Sequence, residues 1–303
     1  MNANLDLAGA ARRAQLDLAD AARRAHLDLA GAARRAHLDL AGAARRVGLT
    51  LTTAELAGLD DHARLSAIAT WRGRMINEHV SARVFASLER QLARAGRPTD
   101  ARAAARMVGD EHRHAELCAA VVEALGGAPA AELPELPAVP EHADADPLEA
   151  ALRNVLSISC LSETVAVALI DAERRAAGPP ALATLLAQIV ADEVQHARSG
   201  WRLLEDCAPR LGPDLRARLD DYLVLAFAHL VEHELAHLPA RPAPSPAAEA
   251  IGVCDGLGAR QLFFATVEQI IVPGLQAHGL DAVGAWRAAQ RIGAAASSPA
   301  SAP

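Results

Sequence analysis

The chain has 303 residues, of which 51% are hydrophobic and 3% aromatic, and its formal net charge is −7. This length allows one or two domains with a substantial core. The acidic balance argues against a nucleic-acid binder, which would show a basic excess. No apolar run of spanning length and no secretory signal are evident, so we expect no membrane span and a cytoplasmic location. The four cysteines are widely separated, which favours reduced, buried thiols over disulfides or a zinc site.

The N-terminal segment is repetitive. Residues 5–46 contain four copies of an eleven-residue unit, and these copies begin at Leu5, Leu16, Leu27 and Leu38. The two leucines of each unit would point to nearly opposite sides of a helix, so the unit has no continuous apolar stripe. We therefore predict a flexible, low-complexity extension over residues 1–47 rather than an assembly or targeting arm.

The rest of the chain is rich in alanine, leucine and arginine, and it lacks the alternating β-branched runs of strands. This composition predicts an all-α protein. Four long helices are expected at about 61–95, 99–125, 147–177 and 180–207. The connection at 126–146 contains four prolines and reaches up to roughly 70 Å when extended. It can therefore span a helix of about 42 Å, and we predict a crossover that makes the second and third helices parallel.

Further helices come after the predicted four-helix bundle. We expect a fifth helix at about 214–238, a proline-rich linker, a sixth helix at about 248–271 that ends at Pro273, and a short helix from about Asp281. The predicted organisation is therefore an extension at 1–47, a helical bundle at 48–238, C-terminal helices packing on it at 239–292, and a disordered tail at 293–303.

The pattern Asp-Glu-x-x-His occurs twice, at Asp110–His114 and at Asp192–His196. Residues three apart lie on one face of a helix, so each motif would project a carboxylate and an imidazole side by side. Each preceding helix carries one glutamate in its apolar stripe, Glu78 in the first and Glu163 in the third. These residues are the candidate ligands of a metal site.

The positions of the predicted turns support this assignment. In an antiparallel helical hairpin, residues at equal depth are equidistant from the turn. The midpoint between Glu78 and Glu111 lies next to Gly96-Arg97-Pro98, and the midpoint between Glu163 and Glu193 is Gly178, which is followed by two prolines. Glycine and proline are typical of helix ends and starts, so both midpoints coincide with predicted turns.

Four buried carboxylates need protons or cations for neutrality. Two divalent ions would balance Glu78, Glu111, Glu163 and Glu193, and His114 and His196 would give each ion one nitrogen ligand. Mixed carboxylate and imidazole ligation suits iron, or alternatively manganese, better than structural zinc. A ligating imidazole usually donates its other N–H to a carboxylate. We therefore expect His196 to donate this hydrogen bond to Asp110, and His114 to donate it to Asp192.

Simpler interpretations stay open at this point. The six candidate ligands could form surface ion pairs with neighbouring arginines, although this would not explain a repeated motif with two matching turns. Asp110 and Asp192 could be solvated helical aspartates.

A second metal motif, His233-Glu234-Leu235-Ala236-His237, matches the zinc-protease pattern. Its third ligand would be Glu249 or Glu268, but a histidine-rich amphipathic helix is the favoured interpretation.

At the two motifs and the two matched glutamates the chain resembles the ferritin-like di-iron carboxylate superfamily, including its oxygenase, desaturase and rubrerythrin-like branches. The resemblance covers about residues 61–207. It implies a ferritin-like four-helix bundle of two hairpins joined by a long crossover, with two iron ions that react with O2. Glu78, Glu111, Glu163 and Glu193 are then the catalytic metal ligands, together with His114 and His196, and Asp110 and Asp192 lie behind the histidines.

The function expected from this resemblance is that of a non-haem di-iron oxidoreductase, which uses O2 to oxygenate or desaturate a small organic substrate. An electron donor would then be a partner, and a homodimer is compatible with this expectation. The alternatives are a ferroxidase or iron-handling protein without an organic substrate, a zinc-protease-like site at His233–His237, and a non-catalytic helical scaffold.

Overall fold

The computed structural model describes residues 36–135, 138–238, 240 and 243–297. The chain divides into two compact units, Met1–His37 with Glu132–Glu135, and Leu38–Ala131 with Leu136–Pro303. Most of the first unit lies outside the described residues. The second unit is mainly helical, so the all-α prediction is confirmed.

Short elements come first along the described chain. Strand β1 (His37–Asp39) pairs with strand β2 (Ala130–Glu132), and helix α1 (Ala41–Val47) follows β1. Arg45 and Arg46 lie in the last turn of α1, next to Gly48 with a φ of +66°. Residues 36–47 thus have regular structure that the sequence did not predict. The rest of the predicted extension, residues 1–35, lies outside the described residues.

The first hairpin consists of α2 (Asp61–Arg94) and α3 (Pro98–Ala124). The Asp60 side chain caps α2 by accepting a hydrogen bond from the Ala63 N–H at 2.7 Å. This bond satisfies one of the N–H groups that a helix start leaves without a partner. Pro98 begins α3, where its missing N–H costs nothing.

The second hairpin is interrupted by a π-helical turn. Helix α4 (Pro147–Val155) continues through the π-turn Leu156–Ser162 into α5 (Glu163–Ala176), and α6 (Pro180–Cys207) returns antiparallel to them. A 3-10 turn, Ala208–Arg210, ends α6. The helix bounds agree closely with the expected ones, but the π-turn was not predicted.

The four long helical segments form a closed ring. α2 contacts α3 and α4, and α6 contacts α3 and α5. The connection after α3 begins beside Arg72, whose guanidinium donates to Ala128 O, and ends beside Gln91, whose amide donates to Pro140 O at 2.9 Å. Because Arg72 and Gln91 lie towards opposite ends of α2, the connection runs along that helix. α3 and α4 are therefore parallel.

Beyond this ring, α7 (Pro213–His237) packs on the last helix, α11 (Ala282–Ser297), and between them lie α8 (Pro246–Glu249), α9 (Gly256–Thr266), the π-turn Val267–Ile271 and α10 (Val272–Ala277). The predicted sixth helix at 248–271 is wrong at both ends. Gly252, with a φ of +92°, breaks it near its start. At the other end the chain stays helical past Pro273, because the preceding π-turn already redirects the backbone hydrogen bonds that proline would remove.

Two further expectations concern the C-terminus and the membrane. α11 continues to Ser297, into the predicted tail, and residues 298–303 lie outside the described residues.

The helical stretch Pro147–Ala176 reaches a mean hydropathy of 1.7 over 18 residues and is long enough to cross a membrane. The expectation that no apolar run reaches this length is thus wrong. A core helix of a soluble protein passes the same test, so the expected absence of a membrane span stays a prediction.

Candidate metal centre

The structure brings all six predicted ligands together in the interior of the helical ring. α2 and α5 each contribute one glutamate, and α3 and α6 each contribute a glutamate and a histidine. Five of the six are buried, and the side chain of Glu78 is 14% exposed. The six residues are Glu78, Glu111, His114, Glu163, Glu193 and His196.

Local helix geometry explains why these side chains converge. In α3 and α6 the three-residue spacing places Glu111 beside His114, and Glu193 beside His196, on the buried face. On the opposite side, Glu163 is the first residue after the π-turn. A π-turn inserts an extra residue into the helix and rotates the residues after it, and such turns occur often at functional sites. It therefore helps to set the direction of the Glu163 side chain.

Both imidazoles turn their Nδ1 atoms towards the carboxylates. His114 Nδ1 lies 3.1 Å from Glu193 Oε1 and 3.5 Å from Glu78 Oε2. His196 Nδ1 lies 3.0 Å from Glu193 Oε2 and 3.2 Å from Glu111 Oε1. Each oxygen of Glu193 thus contacts a different histidine, so this carboxylate bridges the two halves of the cluster.

The side chains form two groups, and within each group one ligand atom per residue lies within 4.8 Å of the others. The first group contains Glu78, Glu111, His114 and Glu193, and the second contains Glu111, Glu163, Glu193 and His196. The groups share Glu111 and Glu193. Such an arrangement can hold two cations side by side with two carboxylates between them.

The two aspartates lie where the sequence predicted. His114 Nε2 is 3.1 Å from Asp192 Oδ2, and His196 Nε2 is 3.3 Å from Asp110 Oδ2, so each histidine faces the aspartate of the other motif. A neutral imidazole that donates from Nε2 keeps its Nδ1 lone pair directed at the carboxylates. The aspartates therefore orient the nitrogen that would bind a metal.

Arg113 connects the two aspartates and was not predicted. Its guanidinium lies 2.7 Å from Asp192 Oδ2 and 3.0 Å from Asp110 Oδ1. It joins the α3 motif to the α6 motif on the outer side of the histidines. The sequence placed Arg113 inside the first motif, but its role depends on the rotation of α3 relative to α6, which no residue pattern specifies.

In the metal-free state, protonated carboxyl groups and charged imidazoles reduce the net negative charge of the cluster. Burial, and then the neighbouring Glu193, raise the pKa values of Glu111 and Glu163 well above the ordinary range. Burial opposes the charge of His114, but the carboxylates of Glu193 and Glu78 raise its pKa to about 11. In the same way Glu193 outweighs burial and raises the pKa of His196 to about 9.

Two buried atoms of the cluster lack hydrogen-bond partners among the described groups, namely Glu111 Oε1 and His114 Nδ1. Glu111 Oε1 lies 3.2 Å from His196 Nδ1, and His114 Nδ1 lies 3.1 Å from Glu193 Oε1, but neither contact is a hydrogen bond. A buried polar atom without a partner is costly, and a cation would satisfy both atoms.

The four free cysteines are outside both groups. The available donors are carboxylate oxygens and imidazole nitrogens, a set that fits iron or manganese.

The rival motif on α7 has a different geometry. His233 and His237 have ring centroids 4.4 Å apart, and His237 Nδ1 donates to the backbone oxygen of His233 at 2.8 Å. Glu268 Oε1 lies 3.4 Å from Trp286 Nε1. Over the described part of the chain, the groups of three or more residues that could hold one ion are the two at the central cluster. The zinc-binding alternative therefore has no third ligand from these residues.

Comparisons with known proteins add no assignment. No family model, no curated protein and no solved structure matches this chain.

Proposed function

We propose that this chain is a ferritin-like di-iron oxidoreductase that uses O2 to oxygenate or desaturate a small organic substrate. The observation that carries the proposal is the pair of four-residue ligand groups that share Glu111 and Glu193. A single cation site would need only one such group. Two adjacent cations repel each other, and a carboxylate shared between them neutralises part of the charge of each.

The helix order also supports a ferritin-like bundle. Two hairpins are joined by a connection that runs along α2, and the single glutamates come from the first helix of each hairpin. The second helix of each hairpin supplies the Glu-x-x-His pair. This distribution of ligands over four helices is the one that ferritin-like di-metal proteins use.

Charge arithmetic favours two divalent ions. Glu78, Glu111, Glu163 and Glu193 supply four negative charges when ionised, and two divalent cations cancel them. Glu78 and His114 would then belong to one ion, Glu163 and His196 to the other, and the two remaining glutamates to both. When bound, a pair of ferrous ions supplies the electrons that reduce O2.

The surrounding residues would hold this centre in place. Asp110 and Asp192 fix the ring orientation of the histidines, and Arg113 holds both aspartates. The Phe85 ring, whose centroid lies 5.2 Å from that of His196, is fully buried and excludes water from that side. Glu78, the least enclosed ligand, is the one best placed to change its position during a reaction cycle.

The test is metal analysis of anaerobically prepared protein after addition of Fe(II), with Mn(II) and Zn(II) in parallel, followed by measurement of O2 consumption. We expect about two irons per chain and O2 uptake that depends on them. The His233→Ala variant is the matched control and should keep both irons. One zinc per chain that His233→Ala abolishes would instead support the α7 motif. O2 uptake that accompanies only the accumulation of ferric iron would support iron handling.

A further inference from the structure

A cleft of about 260 Å³ opens beside the candidate metal centre, between α2, α3, α6 and the segment where α4 meets the first π-turn. Three residues that line it are each four positions along the chain from a candidate ligand, namely Met107, Ser159 and Gly200. Four residues correspond to about one helical turn, or roughly 6 Å. The cleft therefore lies next to the cluster, towards the turn between α2 and α3.

The inner wall of the cleft is apolar. Leu88, Leu92, Met107, Val155 and Leu203 line it, and all five are buried. These side chains come from α2, α3, α6 and the last residue of α4. An apolar wall in a concave site is what a hydrocarbon group requires, because binding then removes apolar surface from water.

The outer part of the cleft carries uncompensated positive charge. Arg106 and Arg202 line it, both are exposed, and neither forms an ion pair or a side-chain hydrogen bond with a described residue. The acidic residue at the same opening, Asp100, is already paired with Arg97 at 2.7 Å. Two guanidinium groups thus remain for an anionic ligand, and guanidinium suits carboxylate geometry well.

We propose that this cleft binds the substrate of the metal centre as an amphipathic organic acid, with its hydrocarbon part against the leucine wall and its carboxylate at Arg106 and Arg202. This inference rests on the proposed function and specifies its substrate class. At roughly 30 Å³ for each water-sized group, the volume holds about nine such groups. A carboxylic acid of about eight carbons has the matching size, so octanoate is the probe.

Other ligand classes fit the cleft less well. Inorganic phosphate would use the two arginines but not the apolar wall. A neutral alcohol would use the wall but not the arginines, and an alkylammonium ion would be repelled by them. Comparison of octanoate with octan-1-ol and octylammonium therefore separates the contributions of charge and hydrocarbon.

The test is calorimetric titration of the full-length, metal-free chain with these three probes. We expect one octanoate per chain, weaker binding of octan-1-ol and the weakest binding of octylammonium. The double variant Arg106→Gln/Arg202→Gln should weaken octanoate binding by about tenfold, because two exposed charge pairs are removed, and leave octan-1-ol unchanged. Arg287→Gln, which removes an exposed arginine of α11, is the matched control and should bind octanoate like the wild type.

A second variant tests the wall. Ala103→Phe fills the cleft from α3 and should abolish binding of both octanoate and octan-1-ol. No octanoate binding by the wild type, or equal binding by the double variant, would overturn the proposal. Iron uptake is measured on separate portions of the same preparations after addition of Fe(II), so the two proposals can fail separately. A chain that takes up two irons but binds no octanoate refutes the cleft alone, and one that binds octanoate but takes up no iron refutes the metal centre alone.

Discussion

Two buried glutamates are expected to respond differently to substitution by glutamine, because Glu111 is a candidate metal ligand and Glu149 pairs with arginines. Burial and two neighbouring carboxylates raise the pKa of Glu111 well above its ordinary range, which favours the neutral acid in the metal-free chain. Glu111→Gln keeps its shape and neutrality. We expect the free energy of unfolding of the metal-free chain to change by less than about 1 kcal/mol, since no cavity and no unpaired charge result. Metal binding should fall from about two ions per chain to less than one, because Glu111 belongs to both groups.

Glu149 is the matched control. It is equally buried, and its oxygens accept hydrogen bonds from Arg153 at 2.6 Å and Arg218 at 2.8 Å. Loss of one partner of a buried ion pair costs roughly 3–5 kcal/mol. Arg218 is 49% exposed and Arg153 keeps Asp144 as a partner, so about 2–3 kcal/mol is expected for Glu149→Gln. Both metal ions should remain.

The assay combines denaturant unfolding followed by circular dichroism with metal analysis of the same samples. A ligand at 100 times its dissociation constant adds about 2.7 kcal/mol to the stability of the folded state. Wild type and Glu149→Gln should both gain stability on metal addition, whereas Glu111→Gln should gain little. Glu111 is not a shared metal ligand if Glu111→Gln destabilises the metal-free chain as much as Glu149→Gln does, or if it retains two metal ions.

Three further outcomes are expected. Asp110→Asn should weaken metal binding about 10- to 100-fold in an equilibrium titration, because the imidazole that it faces loses its orienting carboxylate. Burial raises the pKa of Glu234 to about 7, so the folded chain holds this proton more tightly than the unfolded chain. Stability should therefore fall as the pH rises from about 4.5 to 7, and Glu234→Gln should flatten that profile. Gly252→Ala should cost about 2 kcal/mol or more in thermal unfolding, since the φ of Gly252 is +92° and a Cβ would lie 2.9 Å from the Trp71 ring. Gly73→Ala, in the open middle of α2, should instead stabilise by up to about 1 kcal/mol.

Controls make these outcomes specific. Asp214→Asn removes an exposed carboxylate at the start of α7 and should leave metal affinity unchanged. Equal affinity of Asp110→Asn and the wild type would show that the aspartate does not orient the histidine. A pH profile that Glu234→Gln leaves unaltered would place the titrating group elsewhere. If Gly252→Ala and Gly73→Ala had the same effect, backbone strain at Gly252 would not be the cause.

Much of the central arrangement could be predicted from residue spacing. The three-residue intervals fix which side chains share a helix face, and the glycine and proline turns fix the depth at which facing helices meet. Together they predicted the convergence of Glu78 with the α3 motif and of Glu163 with the α6 motif. The crossed contacts of Asp110 and Asp192 were expected from the chemistry of ligating imidazoles, but spacing does not fix the rotation of the helices and left solvated aspartates as an alternative.

Other features depend on tertiary contacts that spacing does not encode. The π-turn Leu156–Ser162 differs from an α-helix by one extra residue per turn, and no residue type marks it. From the sequence alone, Arg113 looks like an ordinary surface residue of α3. Its contact with Asp192 becomes visible only in the structure, where α3 and α6 pack side by side. The break at Gly252 reflects contact with Trp71, whose indole donates to Ile251 O at 2.8 Å. The helices beyond α6 were predicted less accurately for this reason.

Anomalous diffraction at the iron edge, from crystals of the iron-loaded protein, would locate the metal ions directly. We expect two peaks per chain, both within bonding distance of Glu111 and Glu193, with His114 next to one and His196 next to the other. A single peak, a peak at His233 and His237, or no peak inside the four-helix ring would contradict it.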